Sequence, residues 1–164
     1  MQHFNWSTFT KQIAVKATKT EVYNAWTQSC ELEKWFLSRA VFFDKTGNKI
    51  SSAQGCQPSD TYEWSWFAQD GNETGKILET NRTDHVAFTF AGDCRCDVEL
   101  TDQDDYVVVT ITQSNIPLDD NSKEGIRLGC AFGWTFYLVN LKSVLEGGLD
   151  LRNKDRQFSN VVNN

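Results

Sequence analysis

Residues that could perform acid, base or nucleophilic chemistry are few in this sequence and lie far apart. A catalytic serine or cysteine needs a base within hydrogen-bond reach, and the two histidines are His3, near the start, and His85, after a turn. Both are interpreted as satisfied surface side chains. Carboxylates cluster within 102–105 and at 119–120, in turn and helix-cap positions where solvated charge is ordinary. No catalytic residue is predicted, and an enzyme is the less favoured class.

The five cysteines raise the question of a metal or redox site. Cys94 and Cys96 would share one face of a strand, but a zinc site needs four ligands and no second Cys or His pair is present. They are interpreted as buried strand cysteines. Because the total is odd and the spacing irregular, free thiols in a reducing cytoplasm are expected, with no metal and no cofactor.

Aromatic residues offer the chemistry that the polar residues lack. Tyr62, Trp64 and Trp66 alternate with polar residues, which is the period-two pattern of a strand with one buried face. Rings on such strands and on a later helix either fill the core or line an apolar cavity, and both alternatives stay open here. The candidate ligand-binding residues are Trp64, Trp66, Phe88, Val98, Val109, Ile111, Gln113, Trp134, Tyr137, Leu138 and Leu141, with Gln113, Thr110 and Tyr137 as candidate polar anchors.

The order of predicted elements determines what can position these side chains. A first strand is expected over residues 4–16, and Thr18 with Glu21 forms a capping box that starts a helix. Ser29 is expected to cap a second short helix. Strand-like segments then follow from residue 40 to residue 113, with connections too short for crossover helices. An antiparallel meander is therefore predicted.

A long helix is predicted after the meander, capped near Asp119 and ending at Gly147. A broad apolar stripe on this helix, centred on Trp134, is expected to cover the sheet. The opposite side carries apolar residues where a surface helix normally shows charge, so it is a candidate surface for self-association or for another protein. This outward stripe consists of Leu128, Phe132, Phe136 and Val139.

Three glycines flank the same helix at four-residue spacing, at Gly125, Gly129 and Gly133. Each costs up to about 1 kcal/mol of helix stability relative to alanine. A close approach of the helix backbone to the sheet or to a partner is expected to offset that cost.

Length and charge bound the number of domains and the class of partner. A chain of 164 residues with 40% hydrophobic residues fits one domain, expected over 1–153 with a flexible tail over 154–164. The net charge of −6, with scattered Lys and Arg, argues against nucleic acid as a partner. No apolar run of about 18 residues and no signal-like start occur, so a cytoplasmic protein without a membrane span is predicted.

Several motifs carry a family resemblance. They are Ala17-x4-Val22-x2-Ala25-Trp26-Thr27, Leu32-x2-Trp35-Phe36, Gly71-x3-Gly75-x3-Glu79 and Gly133-Trp134-x3-Leu138-x2-Leu141-Lys142-x2-Leu145-Glu146. With the order of elements, they resemble the Aha-like family of the START-like, or birch-allergen-like, helix-grip superfamily (SRPBCC). Two further stretches look like a bacterial branch of it, Asp60-Thr61-Tyr62-x-Trp64-x-Trp66 and Asn140-Leu141-Lys142-x5-Gly148-x-Asp150-Leu151-Arg152.

The resemblance implies an α+β helix-grip fold, in which a curved antiparallel sheet of about six to seven strands wraps a long C-terminal helix. Two short helices follow the first strand, and an elongated apolar cavity lies between sheet and helix. Members of the superfamily bind lipids, sterols, polyketides and plant phenolics, and a minority are enzymes. Many relatives carry a histidine near the end of the last strand, where this chain has Gln113, so any role of that imidazole is absent.

Non-enzymatic binding of a small hydrophobic ligand, lipid-like or aromatic, is therefore the expected function. The alternative is a chaperone-associated or stress-response interaction module, which the family name suggests. It would bind a chaperone, or a second copy of the chain, through Leu128, Phe132, Phe136 and Val139. A cyclase or hydrolase is the least favoured class.

Overall fold

Seven antiparallel strands form one continuous sheet in the computed structural model, which describes residues 4–158 and 161–163. The spatial order is β1-β7-β6-β5-β4-β3-β2. The strands from β2 to β7 therefore form a meander, and β1 is the edge strand next to β7. The predicted helix-grip class and its meander are confirmed. The strands are β1 (Phe9–Val15), β2 (Arg39–Phe43), β3 (Thr61–Ser65), β4 (Glu73–Thr80), β5 (His85–Phe90), β6 (Cys94–Gln103) and β7 (Tyr106–Ser114).

Two short helices, α1 (Lys19–Thr27) and α2 (Ser29–Trp35), connect β1 to β2. The predicted capping box is confirmed, since the Glu21 amide donates to Thr18 Oγ1 at 3.2 Å and the Thr18 amide donates to Glu21 Oε2 at 2.8 Å. The cap predicted at Ser29 is wrong. Helix α1 runs to Thr27, so the single extended residue left between the helices, Gln28, occupies the N-cap position without a side-chain bond.

The C-terminal helix (Asp120–Leu145) is continuous but not uniform. It begins as α3 (Asp120–Ser122), passes through a π-helical segment (Lys123–Leu128) and continues as α4 (Gly129–Leu145). Asp119 caps it by accepting from the Ser122 amide at 3.0 Å, as predicted. The π-helical segment was not predicted. Short π-helical segments inside α-helices often occur at functional sites.

By length and composition alone, the C-terminal helix could cross a membrane. Core helices of water-soluble proteins meet the same criterion, so this is weak evidence. The helix packs its Trp134 stripe on the sheet, with Trp134, Leu138 and Leu141 no more than 2% exposed. The overall fold resembles that of soluble domains, while the cytoplasmic location and the absence of a span stay predictions.

The middle of the interior is solid. Val98, Val109 and Ile111 on β6 and β7 are at most 1% exposed, and they belong to the same core cluster as Leu138 and Leu141. Such close packing leaves no space for a guest between the centre of the sheet and the second half of α4.

The structure gives a steric reason for one glycine of the sequence motifs, Gly75 on β4. It pairs with Tyr62 on β3, and a Cβ at Gly75 would lie 2.5 Å from the Tyr62 Oη. That hydroxyl donates to the Thr89 carbonyl oxygen at 2.6 Å, so the ring cannot move aside without losing a buried hydrogen bond.

A buried arginine fastens the segment after α4 to the end of α2. The Arg152 guanidinium donates to the carbonyl oxygens of Leu37 at 2.8 Å, Glu33 at 2.9 Å and Lys34 at 3.0 Å. It also donates to Asp150 Oδ2 at 2.8 Å, and its side chain is only 4% exposed. The anchor therefore caps α2 and fixes the path of the chain beyond the helix. The domain boundary at residue 153 and the flexible tail stay predictions.

Asp150 makes the stability of this anchor depend on pH. Burial alone would raise the pKa of Asp150, but hydrogen bonds from Arg152, Lys154 and Asn140 outweigh it and hold the pKa well below its usual value. A carboxyl whose pKa is lower in the folded state stabilises the fold above its unfolded pKa of about 3.9, and this stabilisation disappears as pH falls toward the folded pKa.

We therefore expect Asp150→Asn to flatten the loss of stability on acidification. The free energy of unfolding, measured in urea between about pH 6 and about pH 3, should fall less steeply than in the wild type. Asp70→Asn is the control, because Asp70 pairs with Arg156 at the surface and its side chain is 93% exposed. Equal slopes for wild type and Asp150→Asn would contradict the assignment.

Candidate ligand-binding site

A cavity of about 770 Å³ opens between the first half of the C-terminal helix and the ends of three strands. Trp66 follows β3, Glu73 begins β4 and Phe90 ends β5. These three strands are neighbours, so the side chains meet where the strands end on one side of the sheet. The other lining residues are Phe36, Gln69, Gly125, Gly129, Cys130, Phe132, Gly133, Trp134, Thr135, Phe136, Tyr137, Val139, Val161 and Val162.

The glycine row of the C-terminal helix lines this cavity. A Cβ at Gly125 or Gly133 would meet no atom within 4 Å, and one at Gly129 would meet only the Glu124 carbonyl oxygen at 3.9 Å. The expected close approach of the helix backbone to the sheet is therefore wrong. The absent side chains leave open space instead of permitting contact.

Four aromatic rings form the inner wall of the cavity. The centroid of the Phe36 ring lies 5.4 Å from that of Trp66 and 5.0 Å from that of Trp134. Phe90 completes the circuit, at 6.2 Å from Trp66 and 5.2 Å from Trp134. These spacings are typical of edge-on and tilted ring pairs, so the wall is a packed surface that is held in shape by its own contacts.

Few polar groups reach the cavity, and one of them is charged. Glu73 Oε1 accepts from the Ala91 amide at 2.7 Å. Burial raises the pKa of the Cys130 thiol to about 11 and also raises the pKa of the Tyr137 hydroxyl. Both groups are therefore protonated at neutral pH and offer neutral surfaces, not nucleophiles.

Gln113 lies behind the aromatic wall. Its Oε1 accepts from Trp134 Nε1 at 3.0 Å, and the side chain is 0% exposed. Its Nε2 has no hydrogen-bond partner within the described part of the chain. It positions the indole of Trp134 and is not part of the cavity lining.

The structure separates the predicted site residues into two groups. Trp66, Trp134 and Tyr137 line the cavity. Thr110, the third candidate anchor, accepts from Gln12 Nε2 at 2.9 Å on an exposed part of the sheet. Eight others lie in the core at no more than 2% exposure, outside the lining: Trp64, Phe88, Val98, Val109, Ile111, Gln113, Leu138 and Leu141.

Sequence reasoning missed most of the lining. Phe36 was seen only as a regular member of a helix. Phe90 was expected to face the space between sheet and helix but was not among the candidate ligand-binding residues, and Glu73 was not singled out. The glycine spacing was the available signal, but it was interpreted as close packing. Phe132 and Val139 were assigned to the outward stripe, and they form the outer rim of the cavity.

The outward stripe is largely exposed. Phe132 is 77% exposed, Val139 47% and Leu128 41%, while Phe136 is partly buried. The expected apolar surface on the far side of the helix is therefore present, and it is continuous with the cavity rim.

The groups considered for catalysis lie elsewhere. His85 Nε2 lies 3.0 Å from Asp97 Oδ1, and Arg95 donates to the same carboxylate, so His85 is satisfied but only partly exposed. His3 lies outside the described residues. Cys94 and Cys96 are buried, as predicted, and the described residues contain no cluster of three potential metal ligands.

Comparison with solved structures places the fold. The Aha1 dimer from Colwellia psychrerythraea matches with a TM-score of 0.66 and 22% identity, over 86% of this chain and 97% of that one. An HSP90 activator from Plasmodium falciparum matches with a TM-score of 0.61 and 17% identity, over 85% and 96%. DynU16, described as a putative protein in the dynemicin biosynthetic locus, matches with a TM-score of 0.65 and 17% identity, over 90% of this chain and 50% of its own.

At these identities the structural matches establish the fold alone. A comparison with curated proteins gives no match. A family model, Activator of Hsp90 ATPase homolog 1-like protein, matches residues 16–146, which include both short helices, the sheet from β2 to β7 and the whole of the C-terminal helix. The chain therefore belongs to the Activator of Hsp90 ATPase homolog 1-like family.

Proposed function

We propose that this protein binds a small hydrophobic molecule, lipid-like or aromatic, in the cavity beside the glycine row, without acting as an enzyme. The observation that carries the proposal is the open space above Gly125 and Gly133. Glycine destabilises a helix relative to alanine, and here its missing side chain is not replaced by any packing contact from the rest of the protein. A ligand that occupies this space would supply the missing contacts.

The dimensions and chemistry of the cavity support the proposal. Sites for small ligands usually measure about 300–1,000 Å³ and are apolar with few polar groups. The cavity, at about 770 Å³, falls within that range. Its wall of four rings offers flat apolar surface to an aromatic or polycyclic guest. One protein of the same fold, DynU16, is described as a putative protein in a biosynthetic locus, and this description is compatible with a small-molecule ligand.

A graded series at Gly133 tests the proposal. N-phenyl-1-naphthylamine, a neutral dye that fluoresces in apolar surroundings, is the probe. Gly133→Ala should keep most of the binding, whereas Gly133→Leu should weaken it by about tenfold or more because its side chain occupies the cavity. The free energy of unfolding should not fall, since leucine is a better helix former than glycine and a Cβ here meets no atom.

Two results would contradict the proposal. One is a wild-type protein that gives no saturable dye signal. The other is equal affinity for wild type and Gly133→Leu, which would locate the dye outside the cavity.

A second candidate function is a protein-interaction module that uses the outward stripe, for self-association or for binding a chaperone in a stress response. The observation that supports it is the 77% exposure of Phe132 on a helix face that carries other exposed apolar residues. Large exposed apolar patches often mark interaction sites. One relative of the same fold is described as a dimer and another as an HSP90 activator, and both descriptions are compatible with this candidate.

Phe132→Asp distinguishes this candidate by sedimentation. If the stripe mediates self-association, the wild type should sediment as a dimer and Phe132→Asp as a monomer of unchanged helicity. Leu149→Asp is the control, because Leu149 is 78% exposed after the C-terminal helix and is not part of the stripe. A monomeric wild type would exclude self-association through this surface.

A further inference from the structure

The charge in the cavity is not balanced by the protein. Glu73 is the one lining residue of the Asp, Glu, Lys and Arg types. Within the part of the chain that the structure describes, Glu73 makes no ion pair, although eight other carboxylates do. The Ala91 amide donates a hydrogen bond to Glu73 Oε1.

The cations beside the glycine row and at the rim of the cavity are committed to other groups. The Arg127 guanidinium lies over the rings of Phe4 and Phe9, at 5.0 and 4.9 Å from their centroids. Lys123 pairs with Asp120 at 3.0 Å. Arg156, close to the rim at Gln69, pairs with Asp70 at 3.0 Å. None of these side chains neutralises Glu73.

A carboxylate beside aromatic faces is a suitable environment for a cation. Ammonium groups are attracted to the faces of Trp, Tyr and Phe rings, and the attraction grows to about 2 kcal/mol when the site is desolvated. Glu73 follows the turn after β3 and binds the residue next to Phe90, so its carboxylate lies at the edge of the ring wall. An anionic ligand would be repelled at this position, and a neutral one would leave the charge unpaired.

We propose that the ligand of this cavity is a hydrophobic amine or quaternary ammonium compound, whose cationic end lies against Glu73 and whose apolar body covers the ring wall. This inference rests on the proposed function and adds the sign of the ligand's charge to it. The net charge of −6 on the whole chain favours the approach of such a ligand.

Three probes with one ring system test the sign of the charge: 1-naphthylmethylamine, 1-naphthalenemethanol and 1-naphthoate. Calorimetric titration of the full chain should give the amine about tenfold tighter binding than the alcohol, and the carboxylate the weakest. Glu73→Gln should reduce the preference for the amine to about threefold or less without weakening the alcohol. The glutamine Oε1 can still accept from the Ala91 amide, so the fold is retained.

Glu99→Gln is the matched control, because Glu99 is an exposed strand residue outside the cavity and the change in net charge is the same. It should leave the preference intact. If the amine binds no better than the alcohol, or if the two glutamine variants lose the preference equally, the charge inference is wrong while binding in the cavity stands. If none of the three probes binds, both the inference and the proposed function are overturned.

Discussion

Arg152→Ala is expected to lower the free energy of unfolding by about 3–5 kcal/mol, the usual cost of removing one partner of a buried ion pair. Three carbonyl oxygens at the end of α2 would lose their donor, and Asp150 would keep only its ion pair with Lys154 and the hydrogen bond from Asn140. Urea unfolding followed by circular dichroism measures the loss. The midpoint should shift strongly with little change in slope.

Arg156→Ala is the matched control for this prediction. Arg156 also pairs with an aspartate, but the two side chains are 69% and 93% exposed, and surface pairs contribute only about 0–1 kcal/mol. A similar small loss for both variants would show that the Arg152 anchor is not a determinant of stability.

The buried anchor illustrates what local pattern cannot supply. Arg152 belongs to a short motif, yet its partners at residues 33, 34 and 37 are more than a hundred positions away, and no periodicity connects them. By contrast, the Thr18–Glu21 box and the alternation of Trp64 with Trp66 are local. They follow from backbone geometry alone, so the sequence was sufficient to predict them.

The site was harder to predict than the fold for a physical reason. Alternation tells which face of a strand is buried, but a core residue and a cavity residue are buried on the same face. Trp64 and Trp66 have the same sequence signal, yet Trp64 is packed on all sides and Trp66 lines open space. The difference depends on which helix residues lie opposite, and glycines there remove the filling. Their spacing was visible, but whether glycine permits contact or leaves space is decided only in three dimensions.

Trp134→Phe is expected to lower the free energy of unfolding by about 2–4 kcal/mol, more than the loss of ring area alone would cost. The phenyl ring keeps most contacts with Phe36 and Phe90 but removes the donor to Gln113 Oε1. Gln113 is 0% exposed, so its Oε1 would be left without a donor in the protein interior. Chemical denaturation of purified variants measures the effect.

Trp26→Phe provides the comparison that isolates the hydrogen bond. Trp26 is 3% exposed and packs 5.8 Å from Trp134, but its Nε1 has no partner among the described residues. The same substitution there removes ring area but leaves no acceptor without its donor. We expect it to lower the free energy of unfolding by about 1 kcal/mol. Adding Gln113→Leu to Trp134→Phe should recover about 1–2 kcal/mol, since replacing both partners by apolar groups removes the buried unpaired amide. Equal costs for the two tryptophan variants, with no recovery in the double variant, would mean that ring packing and not the glutamine holds Trp134 against the cavity.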